Sequence, residues 1–225
     1  FGRKHKIPVD MSRPSASALA RSEARIGDAD EFLPATGRPL TTKELMQQGI
    51  HGVLVGVGPG SVCTSREVLG IGIPQVSATV ECAAARDDFF KETGKYIPII
   101  TDGGIRTGGD VCKSFAAGAN AVMIGSPFAK CEEAPAKGYH WGMATWHVSL
   151  PRGTRIKMGT EYSLRQLLYG PSSRTDGTLN LVGALQVCMG YVGAENLREM
   201  NNARMVYAPA MKTEGKIYQA AGLGF

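Results

Sequence analysis

Residues 53–66 read VLVGVGPGSVCTSR, and the order of residue types in this stretch decides the fold. An apolar, β-branched run stops at three glycines and a proline within five residues, then presents Ser61, Cys63, Thr64 and Ser65. The run has the character of a buried strand, and the glycines and proline mark a tight loop. The prediction is a strand that delivers a cysteine on a loop at its carboxyl end. Glycines there permit positive φ and close approach of a ligand, and consecutive backbone amides can converge on an anion. A thiol beside such amides has its thiolate favoured, which a nucleophile requires. A buried structural cysteine is the competing reading of this stretch taken alone.

Working outward, the same unit recurs. Upstream, TTKE at residues 41–44 opens a helix with Thr41 or Thr42 as N-cap, and Gly49 stops it. Downstream of the cysteine loop comes a helix around VSATVECAAARDDFFKETG. A second unit follows as YIPIIT, DGGIRTGG and the helix DVCKSFAAGA, and a third as NAVMIG and SPFAKCEE. Short apolar strands alternating with helices predict parallel βα units, whose ligand sites lie at the carboxyl ends of the strands. All three glycine-rich loops fall at that end.

Each loop has a chemical reading. Asp102 ends the second strand, where a carboxylate can accept paired hydrogen bonds from vicinal ribose hydroxyls while Gly103 and Gly104 leave room. A helix N-cap is the alternative, but Asp110 is better placed to cap the helix that follows. Gly125 and Ser126 end the third strand before a helix N-terminus, whose free N–H groups and dipole suit a phosphate. Together these describe a phosphate-gripping barrel end with a ribose-binding acid beside it. A flavin-binding barrel explains the glycines and Ser126 as well but gives Cys63 no task.

Composition bounds the partners. With 225 residues, 43% hydrophobic content and 29 glycines, the chain is globular and rich in turns, as one large domain or two small ones. The net charge of +5 is scattered, without a Lys/Arg block or interleaved aromatics, so no nucleic acid is expected and a phosphate-bearing small molecule fits as well. Five cysteines match neither a zinc spacing nor CxxC, which suggests a reducing compartment and a cytoplasmic location. Neither an apolar stretch of about 18 residues nor a secretory leader is present, so no membrane is expected. A start at Phe1 suggests a piece of something longer. Residues 1–40, broken by Pro8, Pro14, Pro34 and Pro39, are expected to be poorly structured or unrelated to the rest, with residues 41–225 forming the functional domain. Tyr139, His140, Trp141, Trp146 and His147, close to Arg152 and Arg155, form either a lid or a loop with an aromatic plug. His140 and His147 lack a metal-ligand constellation, so no metal is assigned to them, and Cys82, Cys112 and Cys188 sit in helical patterns as core residues.

The segments GPGSVCTSREVLGIGIPQ, TDGGIRTGGDVCKSFAAGANAVMIGSPFA, YHWGMAT and GALQVCMGYVGAENL closely resemble the IMP dehydrogenase/GMP reductase family, over roughly residues 41–220. Within it, the match is to the bacterial and cyanobacterial branch labelled only as dehydrogenase-related. The resemblance implies an α/β fold of the (β/α)8 TIM-barrel family. This chain would carry the last three βα units and a C-terminal helical segment. It also implies that Cys63 attacks C2 of a purine nucleotide, GMP or IMP, to form a thioimidate, with NADPH or NAD as hydride partner. By the same resemblance, Ser61, Gly104, Gly125 and Ser126 hold the phosphate, Asp102 the ribose, and Gly142 with Met143 the base. Glu133 would cooperate with the hydroxyl of Ser65, where better-known members have threonine. A potassium ion at the carbonyls of Gly58, Gly60 and Cys63, and a homo-oligomer of tetramer type, are further implications.

The dehydrogenases of the family activate water with an Arg-Tyr pair on a flap. The corresponding stretch here, LRQLLYGPSSRTDGTLN at residues 164–180, is short and has no Arg-Tyr dipeptide, and GPGSVCT is more like the reductase loop. Ile105-Arg106 in DGGIRTGGD is dehydrogenase-like. The expectation is NADPH-dependent GMP reductase, with NAD-dependent IMP dehydrogenase as the alternative. A third reading is a nucleotide-binding but inactive fragment, because three barrel strands without the others leave open edges.

Overall fold

The structure is a computed structural model that describes residues 40–47, 49–142 and 155–206. Residues 1–39, Met143, Trp146, His147, Arg152 and the tail beyond residue 206 lie outside the described residues. The first helix is α1 (Leu40–Gln47), followed by β1 (Val53–Val55), the short α2 (Ser65–Leu69) and the long α3 (Gln75–Thr93). Then come β2 (Ile99–Asp102), α4 (Gly108–Ala116), β3 (Ala121–Met123) and the single turn α5 (Ser126–Ala129). A hairpin of β4 (Tyr139–Trp141) and β5 (Arg155–Lys157) precedes α6 (Leu164–Tyr169), α7 (Leu181–Val192) and α8 (Leu197–Met200).

The three expected strands form one parallel sheet in the order β1-β2-β3, with Val55 beside Thr101 and Asp102 beside Met123. Each crosses to the next through a helix, so the architecture is α/β with three consecutive βα units, a part of a barrel. Side chains alternate across the strands: Val53, Val55, Ile99 and Thr101 are buried, while Leu54 and Ile100 are half-buried and Met123 is 43% exposed. The buried face packs on α1 and α3 through Leu45, Met46, Ala78, Cys82 and Phe89. Each fully buried aliphatic side chain there contributes about 1.5–3 kcal/mol. Within this apolar layer the Thr79 and Thr101 hydroxyls, both wholly buried, satisfy each other at 3.0 Å. A second core joins Val111, Cys112 and Phe115 of α4 to Leu167 of α6, Leu181 of α7 and Met200 of α8.

Two expectations need correction. Thr42 is not an N-cap: the helix begins at Leu40, and Thr42 is buried with its hydroxyl 3.2 Å from the Cys82 thiol. The N-cap of α4 is Thr107, with Asp110 completing a capping box from its third position, because the Asp110 carboxylate reaches back to the Thr107 amide. The flap-like stretch after residue 164 begins as helix α6, capped by Ser163 and Gln166, with Leu167 fully buried in the second core. Helix α7 runs to Val192 and ends at the left-handed Gly193, whose amide donates to the Gly190 carbonyl. Cys82 and Cys112 are buried as expected, and Cys188 is half-buried against the second core. Among the described residues, no helix is long and apolar enough to cross a membrane.

Candidate functional site

The loops after the three strands lie at one end of the sheet and pack on one another. Gln75, at the start of α3, fastens that end: its amide donates to the Val55 carbonyl at 2.5 Å and to the Asp102 carbonyl at 3.3 Å, tying the ends of β1 and β2. Gly56 is required at this junction, because a β-carbon there would fall 2.2 Å from the Asp102 carbonyl oxygen. The cysteine loop then closes as the Cys63 amide donates to the Gly60 carbonyl at 3.0 Å. Arg66 braces it from behind, donating to the carbonyls of Val57 at 3.3 Å and Ile73 at 2.7 Å.

Cys63 is half-buried, and its thiol donates to the Ser65 hydroxyl oxygen at 3.4 Å. Ser65 is buried at the first turn of α2, whose N-cap is Thr64. Opposite, the glycines after β2 meet the same loop, and β-carbons at Gly103 and Gly104 would lie 3.0 and 3.3 Å from Pro59. Asp102 is half-buried at the end of β2, and burial pushes its carboxyl up to about 6 from an ordinary 3.8. A carboxyl in this setting gains from donors that a ligand brings.

A hydroxyl chain joins the first loop to the third. Ser61 and Ser126 lie 2.5 Å apart, and Ser126 is 3.1 Å from Nδ1 of His140 on β4. Gly125 makes room for that imidazole, since a β-carbon at this position would sit 3.1 Å from Nε2 of His140. Gly142 abuts the cysteine loop, a β-carbon there falling 2.8 Å from the Val62 carbonyl oxygen. The helix after Ser126 is only one turn, so its dipole is small and anion attraction at this place rests on side chains rather than on a macrodipole.

The structure therefore brings together Ser61, Cys63, Ser65, Asp102, Gly104, Gly125, Ser126 and Gly142, with Met143 outside the described residues. Glu133 is found elsewhere in its contacts: it is exposed, and its Oε2 accepts from the Leu164 amide at 2.8 Å, holding the start of α6. Of the carbonyls named for a cation, that of Gly60 accepts one hydrogen bond, from the Cys63 amide, and the Arg66 guanidinium behind the loop is turned to the carbonyls of Val57 and Ile73. Gln75 and Arg66 carry no role in the sequence reading, and His140 enters it only as part of a lid or an aromatic plug. No local pattern marks His140 or Gln75, whose partners lie 14 to 27 residues away.

The domain family described as IMP dehydrogenase / GMP reductase matches residues 36–154. The chain belongs to this family. It is 44% identical over 163 residues to a Mycolicibacterium smegmatis protein called an uncharacterized oxidoreductase, covering 71% of this chain and 44% of that protein. Against the inosine-5'-monophosphate dehydrogenase of Aquifex aeolicus it is 39% identical over 175 residues, covering 71% of this chain and 34% of that enzyme. A crystal structure of an IMP dehydrogenase/GMP reductase-like protein from Corynebacterium glutamicum superposes with a TM-score of 0.68 at 34% identity, over 76% of this chain and 46% of that one. The chain thus spans about half the length or less of the relatives it matches. The fold is accordingly that of the family's (β/α)8 TIM barrel, of which three βα units are present here.

Proposed function

We propose that residues 41–225 form the substrate-handling part of a purine-nucleotide oxidoreductase, with Cys63 as nucleophile at C2 of the base. One observation carries this reading. A half-buried thiol with a hydroxyl partner, a raised carboxyl and a serine pair meet at the carboxyl ends of three parallel strands.

In this reading Ser61, Gly104, Gly125 and Ser126 receive the phosphate, Asp102 the ribose hydroxyls, and Gly142 with Met143 the base. The Cys63 sulfur adds to C2 of GMP and the thiol proton passes to the exocyclic nitrogen, so that the bond from C2 to that nitrogen breaks and ammonia leaves. A hydride then adds to C2, the C–S bond breaks to release IMP, and the thiolate so returned takes a proton from solvent. A nicotinamide cofactor, NADPH in this direction, supplies that hydride when bound. Ser65 orients the thiol through their hydrogen bond. Glu133 acts through the start of α6, which its carboxylate holds. A homo-oligomer in the cytoplasm completes the proposal.

The reductase is preferred because the stretch that by resemblance corresponds to the water-activating flap is partly a helix anchored by Leu167 and has no Arg-Tyr pair. The dehydrogenase, IMP to XMP with NAD, has Ile105-Arg106 in its favour, but Ile105 is buried in the second core and reflects packing. The test mixes the purified chain with GMP plus NADPH and, separately, with IMP plus NAD. Nicotinamide absorbance is followed, and intact mass is read for an adduct on Cys63. Loss of NADPH absorbance in the first mixture supports the reductase, and gain of NADH in the second the dehydrogenase. No turnover and no adduct, with GMP still bound, points to a nucleotide-binding fragment.

A further inference from the structure

His140 has no part in the roles given so far, yet it sits at the end of the hydroxyl chain from Ser61 through Ser126. Two hydroxyls and an imidazole on one short path are the donor set that a phosphate monoester dianion takes, and a protonated imidazole adds charge to it. Resting on the nucleotide reading above, we propose that His140 is the proton-carrying member of this anion site. It takes up a proton as the phosphate binds, and so favours nucleotide over nucleoside.

Among the described residues, the charged groups around His140 are turned away from it or paired. In the hairpin it pairs with Ile156, whereas Tyr139 pairs with Lys157 and Trp141 with Arg155. By strand alternation the two cations lie on the opposite face, where both stand over the Tyr139 ring, Arg155 at 4.3 Å. On the side of His140, α5 carries no ionisable residue, and Lys130 just beyond it is paired with Glu161 at 2.7 Å. From the cysteine loop, which meets β4 at Gly142, the titratable and charged groups are Cys63 and Arg66, the latter turned to the carbonyls of Val57 and Ile73. Burial lowers the pKa of His140 below the ordinary 6.5, so the ring is neutral at neutral pH until an anion arrives. Asp102 titrates nearby, but its role concerns the ribose, which GMP and guanosine share.

That shared ribose gives the control. Affinities of GMP and guanosine for the full chain are measured by titration calorimetry between about pH 6.5 and 8.5, where the phosphate is already mostly dianion. The expected result is a GMP affinity that falls about tenfold across this range relative to guanosine, with uptake of a proton seen as a buffer-dependent heat. His140→Gln, which keeps a hydrogen bond to Ser126 but no charge, flattens the GMP profile and leaves guanosine unchanged. GMP and guanosine profiles that run parallel, or a variant that keeps the wild-type profile, overturn the proposal. In the wild type, the imidazole titration of His140 followed by NMR moves to higher pH on adding GMP; an unmoved titration overturns it independently of any variant. Failure of the wild-type chain to bind GMP at all overturns the nucleotide reading itself, and this inference with it.

Discussion

Two thiol–hydroxyl pairs of nearly the same geometry occur in this chain, and their surroundings set them apart. Cys63 and Ser65 are 3.4 Å apart on a glycine loop at the carboxyl end of the sheet, with the thiol half-buried. Cys82 and Thr42 are 3.2 Å apart between α1 and α3, and both are buried. Burial pushes the Cys82 thiol up to about 11, outweighing its hydrogen bond from Thr42. A thiol with a hydroxyl neighbour is therefore not a site in itself. Access, converging backbone and a place for charge make it one, and these belong to the loop layer rather than to the core.

The largest effect should come from removing each thiol in turn. Cys63→Ala should abolish turnover and any covalent adduct while leaving GMP binding and the denaturant midpoint nearly unchanged. Cys82→Ala should leave the adduct intact but lower stability by roughly 1–2 kcal/mol, measured by urea unfolding. Equal adduct formation in the Cys63 variant would erase the contrast between the two pairs.

Next in size is the core itself. Ile99, fully buried under α3, should cost about 2–5 kcal/mol on replacement by alanine, again by urea unfolding, with no change in thiol reactivity at Cys63 beyond that of partial unfolding.

Asp102 gives a pH-dependent test. Its folded pKa near 6 lies above the ordinary 3.8, so between these values the folded state holds more protons than the unfolded one. Stability from this group is therefore greatest at low pH and declines as pH rises from about 4 to 6. Asp102→Asn should remove that decline and match or exceed the wild type above pH 6, while weakening binding of both GMP and guanosine. A wild-type denaturant midpoint that rises across the same interval by way of Asp102 would refute the assignment.

The smallest effect concerns access alone. Under native conditions iodoacetamide should label Cys63 before Cys82, Cys112 and Cys131, which are buried, as peptide mapping would report.

Much of the fold was legible because its signals are local. VLVGV followed by glycines marks β1, Gly94 marks the end of α3, and DGG after IIT marks the end of β2. Helix α6 also has a local signal, the capping box of Ser163 and Gln166 before LLY. The hairpin had none. Its three-residue strands are separated by residues 142–154, and pairing over such a distance depends on what the rest of the chain presents.

The sequence by itself determined the βα order, the placing of Cys63, Asp102 and Ser126 at strand ends, and the family to which they belong, since short-range periodicity and loop chemistry write these directly. Only the tertiary structure decided that Thr42 faces a core thiol, that Glu133 holds α6, and that His140 meets Ser126. Those contacts join residues far apart in the chain, and their partners are fixed by packing rather than by neighbours in sequence.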